Sequence, residues 1–169
     1  VRYFDREAAR MDAGTAQQVA EIFQTPLTGS YNWDYRVQDD RIRKLYELGK
    51  QLNWNVETDI DWNKPRTRLT PEQRDAIVAF KGYGPYEALS EEQKQEFAEH
   101  ENVWTLSQFL HGEQGALLVA SQLTSCAPTL NAKLYAASQT FDEARHVEVF
   151  NKYLQTKAGY MYPVDPALK

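Results

Sequence analysis

An all-α fold is predicted, and three observations predict it. No segment of the 169-residue chain alternates convincingly between apolar and polar residues at period two. Apolar residues recur at offsets of three and four over two long stretches, Leu106 to Ala120 and Ala132 to Leu154. Two capping boxes, Thr70 with Gln73 and Ser90 with Gln93, each stand at the head of a helix-forming run.

The elements follow in order. Residues 5–24 are predicted as a helix that stops before "TPLTGSYNWD", a run of turn-forming residues. In "DDRIRKLYELGKQL", residues 39–52, Ile42, Leu45, Leu48 and Leu52 hold helical spacing. "NWNVETDIDWNKPRTR" reads as an irregular connection. The capping box at Thr70, with Pro71 behind it, starts a short helix to about Lys81, which "GYGPYEAL" breaks. From Ser90 helical character continues to about Thr124. "SCAP" then makes a short turn. Pro128 suits the first turn of a last long helix, which runs to about Ala158 before Gly159 and Pro163 end it. Trp33, Trp54 and Trp62 are expected to be packing anchors, because Trp carries a large apolar surface. Two parts are expected: a helical and irregular extension, residues 1–88, packing on a hairpin of long helices, residues 89–169.

Composition narrows the function. With 42% hydrophobic and 25% charged residues the chain has a globular balance. A formal net charge of −5 without basic clusters argues against nucleic acid. No apolar run approaches the ~20 residues needed to span a bilayer, so no membrane partner is expected. The single cysteine, Cys126, excludes an internal disulfide, and a cytoplasmic setting is expected.

The chemistry lies where the apolar stripes are interrupted. Leu106, Leu110, Glu113, Leu117 and Ala120 share one stripe, with an acid at its centre. Ala132, Ala136, Gln139, Glu143, His146, Phe150 and Leu154 share another. Glu143 and His146 are three apart and therefore neighbours on that stripe. Folding the helices back about Ala127 places Glu113 14 residues before the turn and Glu143 16 after it. At ~1.5 Å per residue their heights differ by only about 3 Å. A short turn makes the helices antiparallel neighbours, so Glu113, Glu143 and His146 should meet in one layer. Unpaired, each would cost several kcal/mol on burial, roughly. Three readings satisfy them: exposure to solvent, a buried hydrogen-bonded cluster, or a metal. Carboxylates and an imidazole suit a first-row metal, and two carboxylates suit a bridged metal pair.

The strings "HGEQGA" and "FDEARHVEVF" carry a resemblance. They resemble one half of the site of the ferritin-like di-iron carboxylate proteins, whose four-helix bundle presents a Glu from each of two helices and a Glu-x-x-His from each of the other two. The 30-residue gap between the glutamates and the string D-E-x-R-H are most similar to the oxygen-activating branch, which includes the ribonucleotide reductase small subunit and the hydroxylases of bacterial multicomponent monooxygenases. The resemblance covers about residues 100–157. It implies a ferritin-like bundle of which this chain holds two long antiparallel ligand-bearing helices. It implies Glu113 as a terminal ligand, Glu143 as a bridging ligand and His146 as an imidazole ligand to two iron ions, with manganese admitted by the same donors and O2 as co-substrate. Asp142 would accept a hydrogen bond from a metal-bound His of the other half-site, and Arg145 would pair with the equivalent Asp there. Phe109, Leu110, Ala116, Leu117, Gln139 and Phe150 would line the pocket. The small Gly112, Gly115, Ala116 and Ala120 leave either room for substrate or close helix contact.

Half of the ligand set is missing from the sequence. His100 and His111 belong to no second E-x-x-H, and "ETDID" lacks helical context. The chain opens on Val1 rather than Met and stops at Lys169, so the second half-site is expected from the remainder of a longer chain, from a separate chain or from a homodimer mate. The expected function is an oxygen-dependent oxidoreductase acting on a small organic substrate, with an electron donor as partner. The alternatives are a ferroxidase or iron-storage protein and a non-catalytic bundle subunit.

Overall fold

The computed structural model describes residues 29–168. Five helices appear in it: α1 (Asp40–Gln51), α2 (Pro71–Ile77), α3 (Gly84–Glu87), α4 (Glu91–Cys126) and α5 (Leu130–Tyr153). Among the described residues no strand forms. The expected helix over 5–24 lies outside the described residues.

Helix starts are set by side-chain oxygens that satisfy otherwise unpaired backbone N–H groups. Asp39 accepts from the N–H of Arg41 and Ile42 and starts α1. Thr70 and Gln73 cap α2 reciprocally, and Ser90 and Gln93 do the same for α4. Three boundaries differ from the sequence expectation. α2 ends at Ile77 rather than near Lys81, because Val78 turns extended (ψ 129°). "GYGPYEAL" is not wholly broken, since Gly84–Glu87 makes one helical turn. α5 starts at Leu130, after Thr129 accepts from the N–H of Ala132, so Pro128 precedes the helix instead of entering it.

α4 and α5 form an antiparallel hairpin, the largest packing unit of the fold. α1 lies on α5, where Gly49 faces Ser138, and a Cβ at Gly49 would meet the Ser138 hydroxyl at 3.6 Å. The irregular connection 52–69 drapes over α5. Trp62 donates its indole N–H to the Val56 carbonyl and lies under Lys152, while Lys152 pairs with Glu57 at 2.5 Å. Arg74 on α2 is buried and reaches Glu91 at the start of α4 (2.7 Å), fastening α2 to the hairpin. Trp54 and Trp62 act as anchors, but Trp33 does not. It is 74% exposed and stacks only on Tyr31, because the extended 30–37 segment has no layer above it among the described residues.

The far end of α5 departs from a plain helix. Leu154–Ala158 is a π-helical turn, closed by the Gly159 N–H on the Leu154 carbonyl (2.8 Å). Gly159 sits at φ 80°, which a residue with a Cβ adopts only with strain. The chain then turns onto α4. Tyr162 donates its N–H to Ser107, Gln108 donates to the Pro163 carbonyl and accepts from the Asp165 N–H, and His111 meets the Tyr162 carbonyl at 3.0 Å. A core forms beneath this strap from Val103, Leu110, Leu154 and Tyr160.

Candidate metal centre

The two interrupted stripes do meet. α4 supplies Glu113, and α5 supplies Glu143 and His146 one turn apart. The Nδ1 of His146 lies 3.0 Å from the Glu143 carboxylate and 3.4 Å from that of Glu113. One donor atom from each residue falls within 4.8 Å of the others. The heights match because the α4–α5 turn is short, as the residue count demanded.

Each donor is half-buried, with side chains 26%, 23% and 39% exposed for Glu113, Glu143 and His146. Among the described residues no lysine or arginine pairs with either carboxylate. The cluster therefore holds two acids and one imidazole, with no lysine or arginine as counter-charge. Burial, and then the neighbouring Glu143 carboxyl, push the Glu113 carboxyl above its usual 4.5, and His146 only partly opposes this. A carboxyl raised in the folded state stabilises the fold below the unfolded glutamate pKa and loses that contribution as pH rises through its folded value. The metal-free Glu113→Gln variant is thus expected to gain stability over the wild type at neutral pH, and the gain should vanish near pH ~4. Urea midpoints of both proteins at the two pH values measure this.

Two carboxylates and one imidazole are donors that iron accepts. Separations of 3.0 and 3.4 Å are close to the ~3 Å expected between neighbouring donors on one ion with bonds of about 2.1 Å. A cation would also relieve the repulsion that raises Glu113. The residues present therefore fit a metal, and fit part of a pair.

The surroundings are asymmetric. Leu106, Leu110, Leu117 and Ala120 lie on the packed side of Glu113 as buried or half-buried residues. At ~100° per residue a second stripe lies on its other side. That stripe is Phe109, Gly112, Ala116, Val119 and Leu123, and all but Ala116 are exposed. Of the expected pocket residues, Leu110 is buried, Ala116, Leu117, Gln139 and Phe150 are half-buried, and Phe109 is 54% exposed. The Phe109 and Phe150 rings stand 6.1 Å apart, tilted against each other.

Asp142 and Arg145 are placed by the connection. The Arg145 guanidinium is only 8% exposed and lies over the Trp54 ring at 4.6 Å. It donates to Asp142 (2.5 Å), to the Asn53 side chain and to the Trp54 carbonyl. Its Nε alone has no hydrogen-bond partner. Asp142 keeps a 38% exposed carboxylate.

The family model of P-aminobenzoate N-oxygenase AurF matches residues 36–169, most of the chain. The chain belongs to the AurF family. AurF proteins are non-haem di-iron oxygenases of the ferritin-like class, so the chain is an oxygen-activating di-iron oxidoreductase. The AurF match spans all five helices and the three clustered donors. No curated protein and no solved structure gives a match. No helix among the described residues is long and apolar enough to cross a membrane.

Sequence reasoning left four polar residues of α4 unassigned: His100, Ser107, Gln108 and His111. They hold the strap of residues 159–165. Only the spacing of polar groups at 100, 107, 108 and 111 hinted at a polar seam, and nothing in the sequence said what lay on it.

Proposed function

We propose that Glu113, Glu143 and His146 are half of the protein's di-iron site, and that the reaction is the oxygen-dependent oxidation of a small aromatic amine at nitrogen. The convergence of the three donors without a fixed cation supports the first part. The family name supports the second.

A second helical pair completes the site by seating on the exposed stripe of Phe109, Gly112, Val119 and Leu123. An apolar face of this kind beside metal donors is a surface that expects cover. The pair comes from further polypeptide, a separate chain or a second copy. Asp142, whose carboxylate stays 38% exposed one turn from His146, would accept an N–H from an imidazole of that pair.

When bound, reduced iron supplies the electrons that activate O2. The chain's own residues do the rest. Glu113 and Glu143 would hold the positive charge, and the imidazole of His146 would donate a nitrogen lone pair. Phe109 and Phe150 exclude water from the reacting volume. Gly112 and Ala116 keep the neighbouring α4 surface low enough for a flat ring.

Manganese suits the same oxygen and nitrogen donors, and metal analysis decides between them. The full-length protein, loaded with Fe(II) without oxygen, is expected to retain about two irons per complete site. With an arylamine, a reductant and O2 it should release the N-oxygenated product, read by mass spectrometry with labelled O2. Uptake of iron with oxygen consumption but no product from any arylamine, and ferric iron accumulating instead, would favour a ferroxidase.

A further inference from the structure

A second group of chemically active side chains lies beyond the metal donors. His100 is 2% exposed, and Tyr160 is 9% exposed beside it. The Nδ1 of His100 stands 2.5 Å from the Tyr162 hydroxyl and 3.4 Å from that of Tyr160. The three rings contact one another at centroid distances of 5.5 to 6.1 Å. A bond of 2.5 Å is at the short end for a hydroxyl donor. A neutral imidazole has one nitrogen able to accept, and the shorter contact assigns that lone pair to Tyr162.

The cluster joins the site through the core. Tyr160 belongs to the apolar cluster of Val103, Leu110 and Leu154, and Tyr162, Val147 and Phe150 pack against that cluster. Val147 and Phe150 flank His146 in sequence and on α5. Leu154 is eight residues from His146, about 12 Å along the helix.

From this geometry we infer that Tyr162 is a redox residue whose proton is held by His100. Oxidising a phenol makes its O–H strongly acidic, so the electron leaves easily only where a base can take the proton. Tyr162 gives one electron to the oxygen-derived oxidant of the iron site, which is reduced by that electron. Its phenolic proton moves to Nδ1 of His100, leaving a neutral tyrosyl oxygen and an imidazolium. A later electron from a reductant, with the proton returning from His100, restores the phenol. The pair drains oxidising equivalents when no substrate accepts them, and the burial of His100 keeps the accepted proton from solvent.

The inference rests on the di-iron reading, and one experiment separates the two. Full-length protein loaded with Fe(II) is mixed with O2 in the absence of amine, freeze-quenched and examined by electron paramagnetic resonance, with iron content measured on the same samples. A transient tyrosyl signal is expected in the wild type. It should be lost in Tyr162→Phe and retained in Tyr160→Phe, with iron content and helical circular dichroism unchanged in both. The inference is overturned if iron-loaded wild type consumes O2 without a tyrosyl signal, or if the same signal persists in Tyr162→Phe. Failure to retain iron at all would overturn the metal-site reading, and this inference with it.

Discussion

Replacing His146 with alanine, or Glu143 with alanine, is expected to abolish iron retention while leaving a folded helical protein. The two residues share one turn of α5, and their donor atoms are 3.0 Å apart. Removing either takes away one of three convergent donors and leaves Glu113 facing a single partner. A half-site of two donors cannot hold a first-row metal against the water that its half-exposed position admits. The fold should tolerate the change. Neither side chain is fully buried, and removing Glu143 also removes the carboxyl that helps raise Glu113. Metal analysis after anaerobic Fe(II) loading and desalting gives the answer, with circular dichroism as the control for folding. Retention of iron at the wild-type level by either variant would show that the cluster is a hydrogen-bonded polar patch rather than a ligand set.

Arg145→Ala is expected to give the largest loss of stability among changes near the site that touch no proposed ligand. The guanidinium is buried and ties three things together: Asp142 on its own helix, the Asn53 side chain and the Trp54 carbonyl. Trp54 also lies under its charge. Breaking a buried ion pair costs ~3–5 kcal/mol when the remaining partner stays buried. Asp142 is 38% exposed and can turn to water, so a loss of about 2–3 kcal/mol is expected. In a chain of this size that lowers Tm by roughly 4–12 °C. Hydrogen exchange should rise first at residues 52–56, because the connection loses its hold on α5. Arg145→Lys should not rescue, since an ammonium lacks the planar fork that serves several acceptors at once. An unchanged Tm, or rescue by lysine, would show that the guanidinium is incidental.

The structure also gives Asp142 and Arg145 partners within the chain. From the string D-E-x-R-H both were expected to look outward, toward a second half-site. One of Arg145's nitrogens, Nη1, is committed to its own chain, by the residues 92 and 91 positions earlier in sequence. Sequence spacing gave the helix face of Arg145 but could not say that Asn53 and Trp54 would occupy it. Trp33 shows the converse. Its size promised burial, yet it stays 74% exposed with the Tyr31 ring stacked on it.

The sequence by itself determined the elements and the meeting of the donors. Capping boxes at Thr70 and Ser90 and the cap at Asp39 act within four residues, so they could be read directly. Glu113, Glu143 and His146 converge because helical rise is constant and the turn between α4 and α5 is short. Two residue counts therefore suffice. Tertiary structure decided what covers each face. The π turn at Leu154–Ala158 and the positive φ of Gly159 direct the strap onto α4, burying His100 against Tyr162 over 62 positions of sequence. The connection 52–69 claims Arg145 in the same way. Such contacts arise from the path of irregular backbone, which has no period to read. That is why the meeting of Glu113, Glu143 and His146 was legible in advance and the tyrosine–histidine pair was not.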